Sequence, residues 1–248
     1  MSTRRATSPA FLTGEWRYLA MLNYRVDPGV VRALTPAGTE PDTWRGDTYV
    51  SMVGFLFLDT RLLGLPVPFH RAFEEVNLRF YVRREAPGES RRGVVFVKEI
   101  VPRRAVAAVA RLCYNENYVA LPMRHAVDLD GARLGSGGLV EYRWKHAGRW
   151  SSLGVRTRGE ARALVAGSDA EFITEHYWGY SRQKDGGTVE YRVEHPRWAV
   201  HDVAEPSLDC DAAGLYGPAF GAALRAAPHS AFLAEGSAII VHRPVRIA

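Results

Sequence analysis

The sequence is poor in lysine and cysteine. Only three of its 32 basic residues are lysines, at positions 98, 145 and 184. The two cysteines, Cys113 and Cys210, are far apart in the chain, and neither has a Cys-x-x-Cys or Cys/His ligand spacing near it. A disulfide scaffold or a structural zinc site is therefore not expected. The lysine count limits any chemistry that needs a primary amine.

Long apolar runs and familiar cofactor motifs are also missing. The 248 residues contain no stretch of about 18 apolar residues, the length that a membrane-spanning helix needs. The first residues carry two arginines but no apolar stretch of signal-peptide length, so we expect a cytoplasmic protein with a flexible tail over residues 1–10. HExxH, P-loop and dinucleotide-glycine patterns are absent. The sequence thus predicts neither a metal nor a cofactor.

The charge pattern does not favour nucleic acid. The net charge is +5, but the arginines are spread along the chain and interleaved with Glu and Asp. A nucleic-acid surface is usually a basic block or an aromatic-basic repeat. A solvated surface is the better interpretation, and nucleic-acid binding is the weakest of three functional hypotheses.

Most of the chain has the pattern of strands. Residues 73–82 alternate strictly, with Val76, Leu78 and Phe80 on one face and polar side chains on the other. Turn-forming residues at 130–131, 147–148 and 184–187 predict hairpins. The predicted strands and hairpins cover residues 15–28, 49–64, 73–82, 93–101, 118–135, 138–158, 180–195 and 231–247.

A few short helices interrupt the strands. The period changes to about 3.6 over residues 103–117, which predicts an amphipathic helix. Ser168 and Glu171 have the spacing of a capping box, and residues 218–227 follow a Gly-Pro pair. Together these elements predict one mainly β (α+β) domain over residues 1–248, with an antiparallel, closed or nearly closed sheet and short helices packed outside.

Four segments resemble a known family. They are FEEVNLRFYV (73–82), the run from 91 to 118, EHYWGY (175–180) with VEHPRW (193–198), and SAFLAEGS (230–237). They are similar to the YqjF-like family of uncharacterised bacterial proteins, within the acetoacetate decarboxylase-like superfamily. The resemblance implies a twisted antiparallel β-barrel around an inner cavity, in which the decarboxylase keeps a Schiff-base lysine, an acidic partner and an arginine.

The lysine of that pattern has no counterpart here. Arg111 matches the superfamily's motif arginine, but residues 114–123, where the lysine would follow, contain none. A Schiff base requires a primary amine with a lowered pKa. Lys98, in the third of these strands, is the one lysine that could lie near a cavity, although a surface or strand-edge position is the competing interpretation.

The row Glu75, Asn77, Arg79 is the strongest candidate site. Period-two spacing places an acid, an amide and a guanidinium on one face of a strand whose other face is apolar. In an open sheet this face would simply be wet, whereas in a closed barrel it could point inward, where polar groups must be paired or used. Glu75 matches the superfamily's acidic partner. We predict Glu75 and Arg79 as catalytic residues, with structural ion pairing as the alternative.

Further candidates for substrate binding lie elsewhere in the chain. Arg17 resembles the superfamily's cavity arginine, but its aromatic neighbours equally suit a stacked surface residue. The YNENY segment ends the predicted helix and could converge on a barrel mouth, or simply cap the helix. His176 could act as an acid or base, or sit at a helix end. The predicted substrate-binding residues are Arg17, Asn77, Lys98, Arg111, Tyr114, Glu116, Tyr118 and His176.

Two functional hypotheses therefore lead. In the first, the protein is an enzyme of lyase or isomerase type that acts on a small organic acid or carbonyl compound without an imine. In the second, it is a non-catalytic binder that holds a metabolite in the same cavity. Both predict a small-molecule ligand, neither requires nucleic acid or a membrane, and both leave homo-oligomer formation open.

Overall fold

The structure, a computed structural model, describes residues 9–129 and 134–248. The strands are β1 (Ala10–Val26), β2 (Glu40–Pro41), β3 (Thr48–Leu62), β4 (Leu65–Pro66), β5 (Phe73–Ala86), β6 (Glu89–Val101), β7 (Tyr118–Ala120), β8 (Met123–Val127), β9 (Leu139–His146), β10 (Arg149–Arg162), β11 (Trp178–Arg182), β12 (Thr188–Glu194), β13 (Val200–Asp209), β14 (Ser230–His242) and β15 (Val245–Arg246). The helices are α1 (Pro28–Arg32), α2 (Arg104–Tyr114), α3 (Asp169–Thr174), α4 (Ala212–Tyr216) and α5 (Pro218–Ala223).

The strand pairings form a closed circuit. The order β12-β11-β6-β5-β3-β1-β14 runs through neighbouring strands, and β12 also pairs with β14. Most pairs are antiparallel, as expected, and β6 also runs parallel to both β11 and β7. A closed circuit has an inside, so the inward face of each strand can line a cavity.

A second layer covers part of the outside of the circuit. From β14 the sheet continues through β13, β10, β9 and β8 and folds back over β1, β3 and β5. Gly54 on β3 marks a close approach of the two layers, because a Cβ there would overlap the side chains of Tyr142 and Leu153. The Tyr142 hydroxyl donates a hydrogen bond to the carbonyl oxygen of Tyr18, 2.8 Å away. The outward face of these strands is therefore buried from solvent under the second layer.

The helices contribute side chains to the core and to the cavity wall. Leu215 and Phe220, from α4 and α5, join the core between the two layers. Helix α2 packs its Val106 side against the cavity, while Leu112 on the opposite side is 85% exposed. None of the described helices is long and apolar enough to cross a membrane.

Most predicted elements are confirmed, with small differences in their bounds. The turn at Ala147-Gly148 joins β9 to β10, and the 184–187 turn joins β11 to β12. Strand β13 and helix α4 were not predicted. The tail over residues 1–10 falls mostly, and the turn at 130–131 wholly, outside the described residues.

The predicted capping box is half formed. The Ser168 hydroxyl accepts a hydrogen bond from the Glu171 amide, 3.1 Å away, as predicted. The Glu171 carboxylate, however, accepts from the Gly167 amide at 2.7 Å and also binds Arg197. The carboxylate therefore caps the residue before the expected one.

The core between the layers can be tested with a matched pair of leucines. Leu153→Ala is expected to lower the free energy of unfolding by about 2–5 kcal/mol, because it leaves a cavity at a fully buried position. Leu112→Ala removes the same atoms from an exposed helix position and should change stability by less than about 0.5 kcal/mol. Urea denaturation measures both changes. Equal effects would contradict the described packing.

Candidate functional site

A cavity of about 200 Å³ lies inside the strand circuit. All seven strands of the circuit contribute to its lining, together with β7, α2, α3 and the segment after α3. Aromatic rings form much of its wall, among them Trp16, Phe55, Phe57, Phe73, Phe96, Trp178, Tyr191 and Trp198. A concave apolar space with a few polar groups is the usual form of a small-molecule site.

The polar row of β5 faces into this cavity. Glu75, Asn77 and Arg79 line it, while the intervening Val76 and Leu78 are fully buried between the two layers. The strand alternation predicted from sequence therefore holds. Both faces of β5 are buried, so the row is not the wet side of an open sheet.

Glu75 is buried and hydrogen bonded through both of its oxygens. The Asn77 amide donates to Oε1 at 2.9 Å, and the Tyr118 hydroxyl donates to Oε2 at 3.0 Å. Burial raises the pKa of Glu75 to about 7, although these two bonds and the nearby Arg79 charge oppose the rise. A carboxyl group with a pKa close to neutrality can both give and take a proton.

Two more carboxyl groups lie near Glu75. Glu99, which pairs with Asn77 in the β5–β6 register, is 1% exposed. Burial, with the charges of Glu116 and Glu75, raises its pKa well above the ordinary value. Burial also raises the pKa of Glu116 to about 8, although a hydrogen bond from the Tyr191 hydroxyl opposes the rise. We refer to Glu75, Glu99 and Glu116 as the carboxyl cluster.

Arg79 lies farther along β5 and contacts mainly neutral groups. Its Nη2 donates to the Ile173 carbonyl at 3.5 Å and lies 3.9 Å from the Met21 sulfur. Its guanidinium carbon is 5.7 Å from the centre of the Tyr81 ring. Its Nε is buried without a hydrogen-bond partner. Part of its donor capacity is therefore available to a ligand.

His176 lies in the same wall, just after α3. Its Nε2 is 3.3 Å from both Asp42 Oδ2 and Arg92 Nη2, and its Nδ1 has no partner. Burial lowers its pKa to about 4, against the opposing effect of Asp42. The imidazole is therefore neutral at physiological pH. The sequence also left open that His176 lies at a helix end, and it does follow the C-terminus of α3.

Tyr114 and Tyr118 also line the cavity, but three of the predicted residues do not. Strand alternation turns Lys98 away from Glu99, and its Nζ donates to the Leu215 carbonyl on α4. Arg17 lies outside the lining and pairs with Glu15 at 2.7 Å. Arg111, on the exposed side of α2, donates to the Tyr118 carbonyl, with its Nε 2.7 Å away. The expectation that Arg17, Lys98 and Arg111 bind a ligand in the cavity is corrected by these positions.

Sequence reasoning missed several lining residues. Glu99 lines the cavity and follows Lys98 directly in the chain, and period-two alternation on β6 would have placed the two residues on opposite faces. His195 lines the cavity and stacks on Trp198, with ring centres 4.1 Å apart. Tyr191 gave no local signal, because its contact with Glu116 joins positions 75 residues apart in the chain.

Comparison with known sequences gives one family. The model of the DUF2071 family, described as an uncharacterized conserved protein, matches residues 13–238. The uncharacterized protein YqjF of Bacillus subtilis is 32% identical over 110 residues. That alignment covers 44% of each chain, less than half the length of the curated relative.

Comparison with solved structures gives the same fold throughout the chain. The enduracididine biosynthesis enzyme MppR, complexed with pyruvate, superposes with a TM-score of 0.66 at 15% identity, covering 100% of this chain and 93% of the other. Acetoacetate decarboxylase from Legionella pneumophila gives 0.64 at 13% identity, covering 100% and 92%. An acetoacetate decarboxylase-like enzyme from Sphingomonas wittichii gives 0.65 at 16%, covering 100% and 98%. At these identities the likeness establishes the fold alone.

Proposed function

Because the chain belongs to the DUF2071 family and has the acetoacetate decarboxylase-like fold, we propose that its cavity binds a small organic acid or carbonyl compound and that Glu75 moves a proton on it. The observation that carries this proposal is the position of Glu75. Its carboxyl group is inside an apolar cavity, and its pKa is raised to about 7. Buried acids with shifted pKa values are concentrated at functional sites.

Arg79 would bind the anionic end of the compound. The Nε of Arg79 has no hydrogen-bond partner, and its Nη2 contacts only neutral groups. No carboxylate is therefore hydrogen bonded to the Nε of this positively charged side chain. A guanidinium suits a carboxylate because its donors form a planar fork. Glu75 and Arg79 are four residues apart on one strand, which separates their Cα atoms by about 13 Å. A compound of several carbon atoms could therefore reach both groups.

The reaction class that fits is proton transfer at a carbon next to a carbonyl. The Glu75 carboxylate would remove a proton from that carbon, leaving an enolate, and the protonated acid would return a proton to complete the reaction. None of the described lining residues is a lysine. The proposal therefore involves no imine, in contrast to the lysine chemistry that the superfamily resemblance implies.

The second candidate is a non-catalytic carrier or sensor. It needs only the apolar cavity and the Arg79 anchor, and it requires no residue with a tuned pKa. The largely aromatic wall favours this alternative, because it offers binding surface without chemistry. The two candidates differ in whether a bound compound exchanges protons.

Hydrogen exchange on a simple probe separates the two candidates. In D₂O, the wild-type protein is expected to accelerate deuterium incorporation next to the carbonyl of 4-oxopentanoate, followed by NMR. Glu75→Gln should slow this exchange by about 10²-fold or more while binding persists, because the amide cannot accept the proton. Glu74→Gln changes the adjacent residue, which binds His125 outside the cavity, and should have little effect.

Three other results would change the proposal. Binding of 4-oxopentanoate without accelerated exchange would contradict the enzyme and favour the carrier. Exchange that is unaffected by Glu75→Gln would remove Glu75 from the mechanism. Absence of binding to both 4-oxopentanoate and pyruvate would contradict the proposed ligand class.

A further inference from the structure

Two hydrogen-bond acceptors in the cavity wall are buried and unpaired. Asn77 Oδ1 and Glu99 Oε2 have no partner, and each residue is 1% exposed. They belong to paired positions of adjacent strands, and both residues line the cavity. Buried polar atoms normally have partners, and leaving one unpaired costs free energy. Asn77 Oδ1 is an acceptor in every state, and Glu99 Oε2 is an acceptor when its carboxyl group is ionised, so a cationic donor that favours the Glu99 carboxylate would pair both atoms.

The side-chain donors that hydrogen bond to the carboxyl cluster come from Asn77, Tyr118 and Tyr191. The Asn77 amide and the Tyr118 hydroxyl both donate to Glu75. The Tyr191 hydroxyl donates to Glu116. A ligand group that carries N–H donors would complete this end of the cavity.

The charge of the surroundings favours a cationic donor. The described lining residues include three carboxyl groups and one arginine, and burial lowers the pKa values of both His176 and His195. A protonated amine supplies three hydrogen-bond donors and one positive charge, whereas a hydroxyl supplies one donor and no charge. The described residues contain no group of three acidic, histidine or cysteine side chains arranged for a metal ion. An organic ammonium group therefore suits this end better than a metal ion.

We infer that the ligand carries a protonated amino group, which binds between Glu99 and Asn77 beside the rest of the carboxyl cluster. For the opposite end, the inference rests on the proposed function, in which Arg79 binds a carboxylate. The ligand class is then an amino acid whose amino and carboxylate groups are at opposite ends of a short carbon chain. The aromatic walls between the two ends enclose that chain.

Proton release is the signature of such a site. Without a cation, burial and the repulsion between neighbouring carboxylates favour the protonated, neutral forms of Glu99 and Glu116. A bound ammonium group favours the charged carboxylates, so protons leave as it binds. The other groups that face the cluster are Arg79 on β5 and the hydroxyls of Tyr114, Tyr118 and Tyr191, which do not ionise below pH 9. Affinity for the amine should therefore increase from pH 6 to pH 9.

Three probes of equal chain length test the inference by isothermal titration calorimetry. They are pentanoate, pentylamine and 5-aminopentanoate. At pH 7.5 we expect 5-aminopentanoate to bind at least tenfold more tightly than pentanoate, with an advantage that increases at pH 9. Titrations in buffers of different ionisation enthalpy should show net proton release for both amines and none for pentanoate.

Glu99→Gln and Glu74→Gln form the matched pair of variants. Glu99→Gln is expected to reduce the advantage of 5-aminopentanoate at least fivefold without weakening pentanoate binding, because only the amino end loses a charge. Glu74→Gln should leave both affinities unchanged, since Glu74 binds His125 outside the cavity. Circular dichroism establishes folding. If Glu99→Gln does not fold, the wild-type proton release still decides.

The outcomes separate this inference from the proposed function. If pentanoate binds and 5-aminopentanoate binds no more tightly, or binds without proton release, the amino site is overturned. The proposed function is not affected by that result. Pentylamine that binds with proton release while pentanoate does not supports the amino site and contradicts the role of Arg79. Failure of all three probes to bind overturns both.

Discussion

Gly236→Ala is expected to lower the free energy of unfolding by about 2–4 kcal/mol. Gly236 on β14 has φ +81°, a conformation that side chains rarely adopt, and it pairs with Arg17 on β1. A Cβ at this position would overlap the backbone carbonyl of Trp16. A carbonyl within a paired strand cannot move aside as a flexible side chain could. The substitution should therefore force β1 and β14 apart beside the cavity wall.

The control separates backbone strain from close approach. Gly148 in the β9–β10 turn has φ +83°, but no atom lies within 4 Å of where its Cβ would be. Gly148→Ala should therefore cost only about 1 kcal/mol, the strain of a positive φ. Urea denaturation of both variants gives the comparison. Equal losses would show that the approach of Trp16 to Gly236 does not limit packing.

The second large effect is a loss of stability as the pH rises. The three groups of the carboxyl cluster have pKa values raised above those of an unfolded chain, so the folded state retains protons that the unfolded state has lost. Their stabilising contribution is fully present below the unfolded pKa and disappears as the pH rises through the folded pKa. Glu75 alone, with a pKa of about 7 against 4.5, corresponds to about 3 kcal/mol.

His176 acts in the opposite direction at lower pH. Its pKa is lowered to about 4 in the folded state, so its contribution is lost as the pH falls from 6.5 to 4. Above about pH 7.5 the imidazole is neutral in both states, and between pH 6.5 and that point it adds only a small slope of the opposite sign. The interval from pH 6.5 to 8.5 therefore reports mainly the carboxyl cluster.

Denaturation midpoints at pH 6.5 and 8.5 measure this effect. The wild-type protein should be less stable at pH 8.5 by several kcal/mol, on the order of one shifted carboxyl or more. Glu99→Gln should reduce the difference, because an amide has no proton to lose. Glu74→Gln should leave it unchanged. A wild-type stability that is flat or rises over this interval would contradict burial of the cluster.

The sequence predicted the local structure around the site better than it predicted which residues form the site. Strict alternation over residues 73–82 identified which face of β5 carries Glu75, Asn77 and Arg79, and the structure places that face in the cavity. The same rule applied to β6 would have turned Lys98 away from Glu99. Alternation says that two faces differ, but only the surrounding layers decide which of them faces the cavity.

Other members of the site depend on contacts across the whole chain. The bond between Tyr191 and Glu116 joins β12 to the segment after α2, and no short window of sequence contains both. Closure of the strand circuit depends on β12 pairing with β14, at positions about 48 residues apart. Neither pairing leaves a periodic signal in either segment.

The sequence by itself determined the scarcity of lysine, the strand-rich pattern, the polar row of β5 and the family resemblance, because each is carried by residue identity and short-range spacing. The tertiary structure decided which polar groups share one enclosed space. Closure of the circuit places Glu99 and Glu116 in the same cavity as Glu75. The second layer buries the outer face of β5. Burial and proximity set their pKa values, and both are properties of the assembled fold.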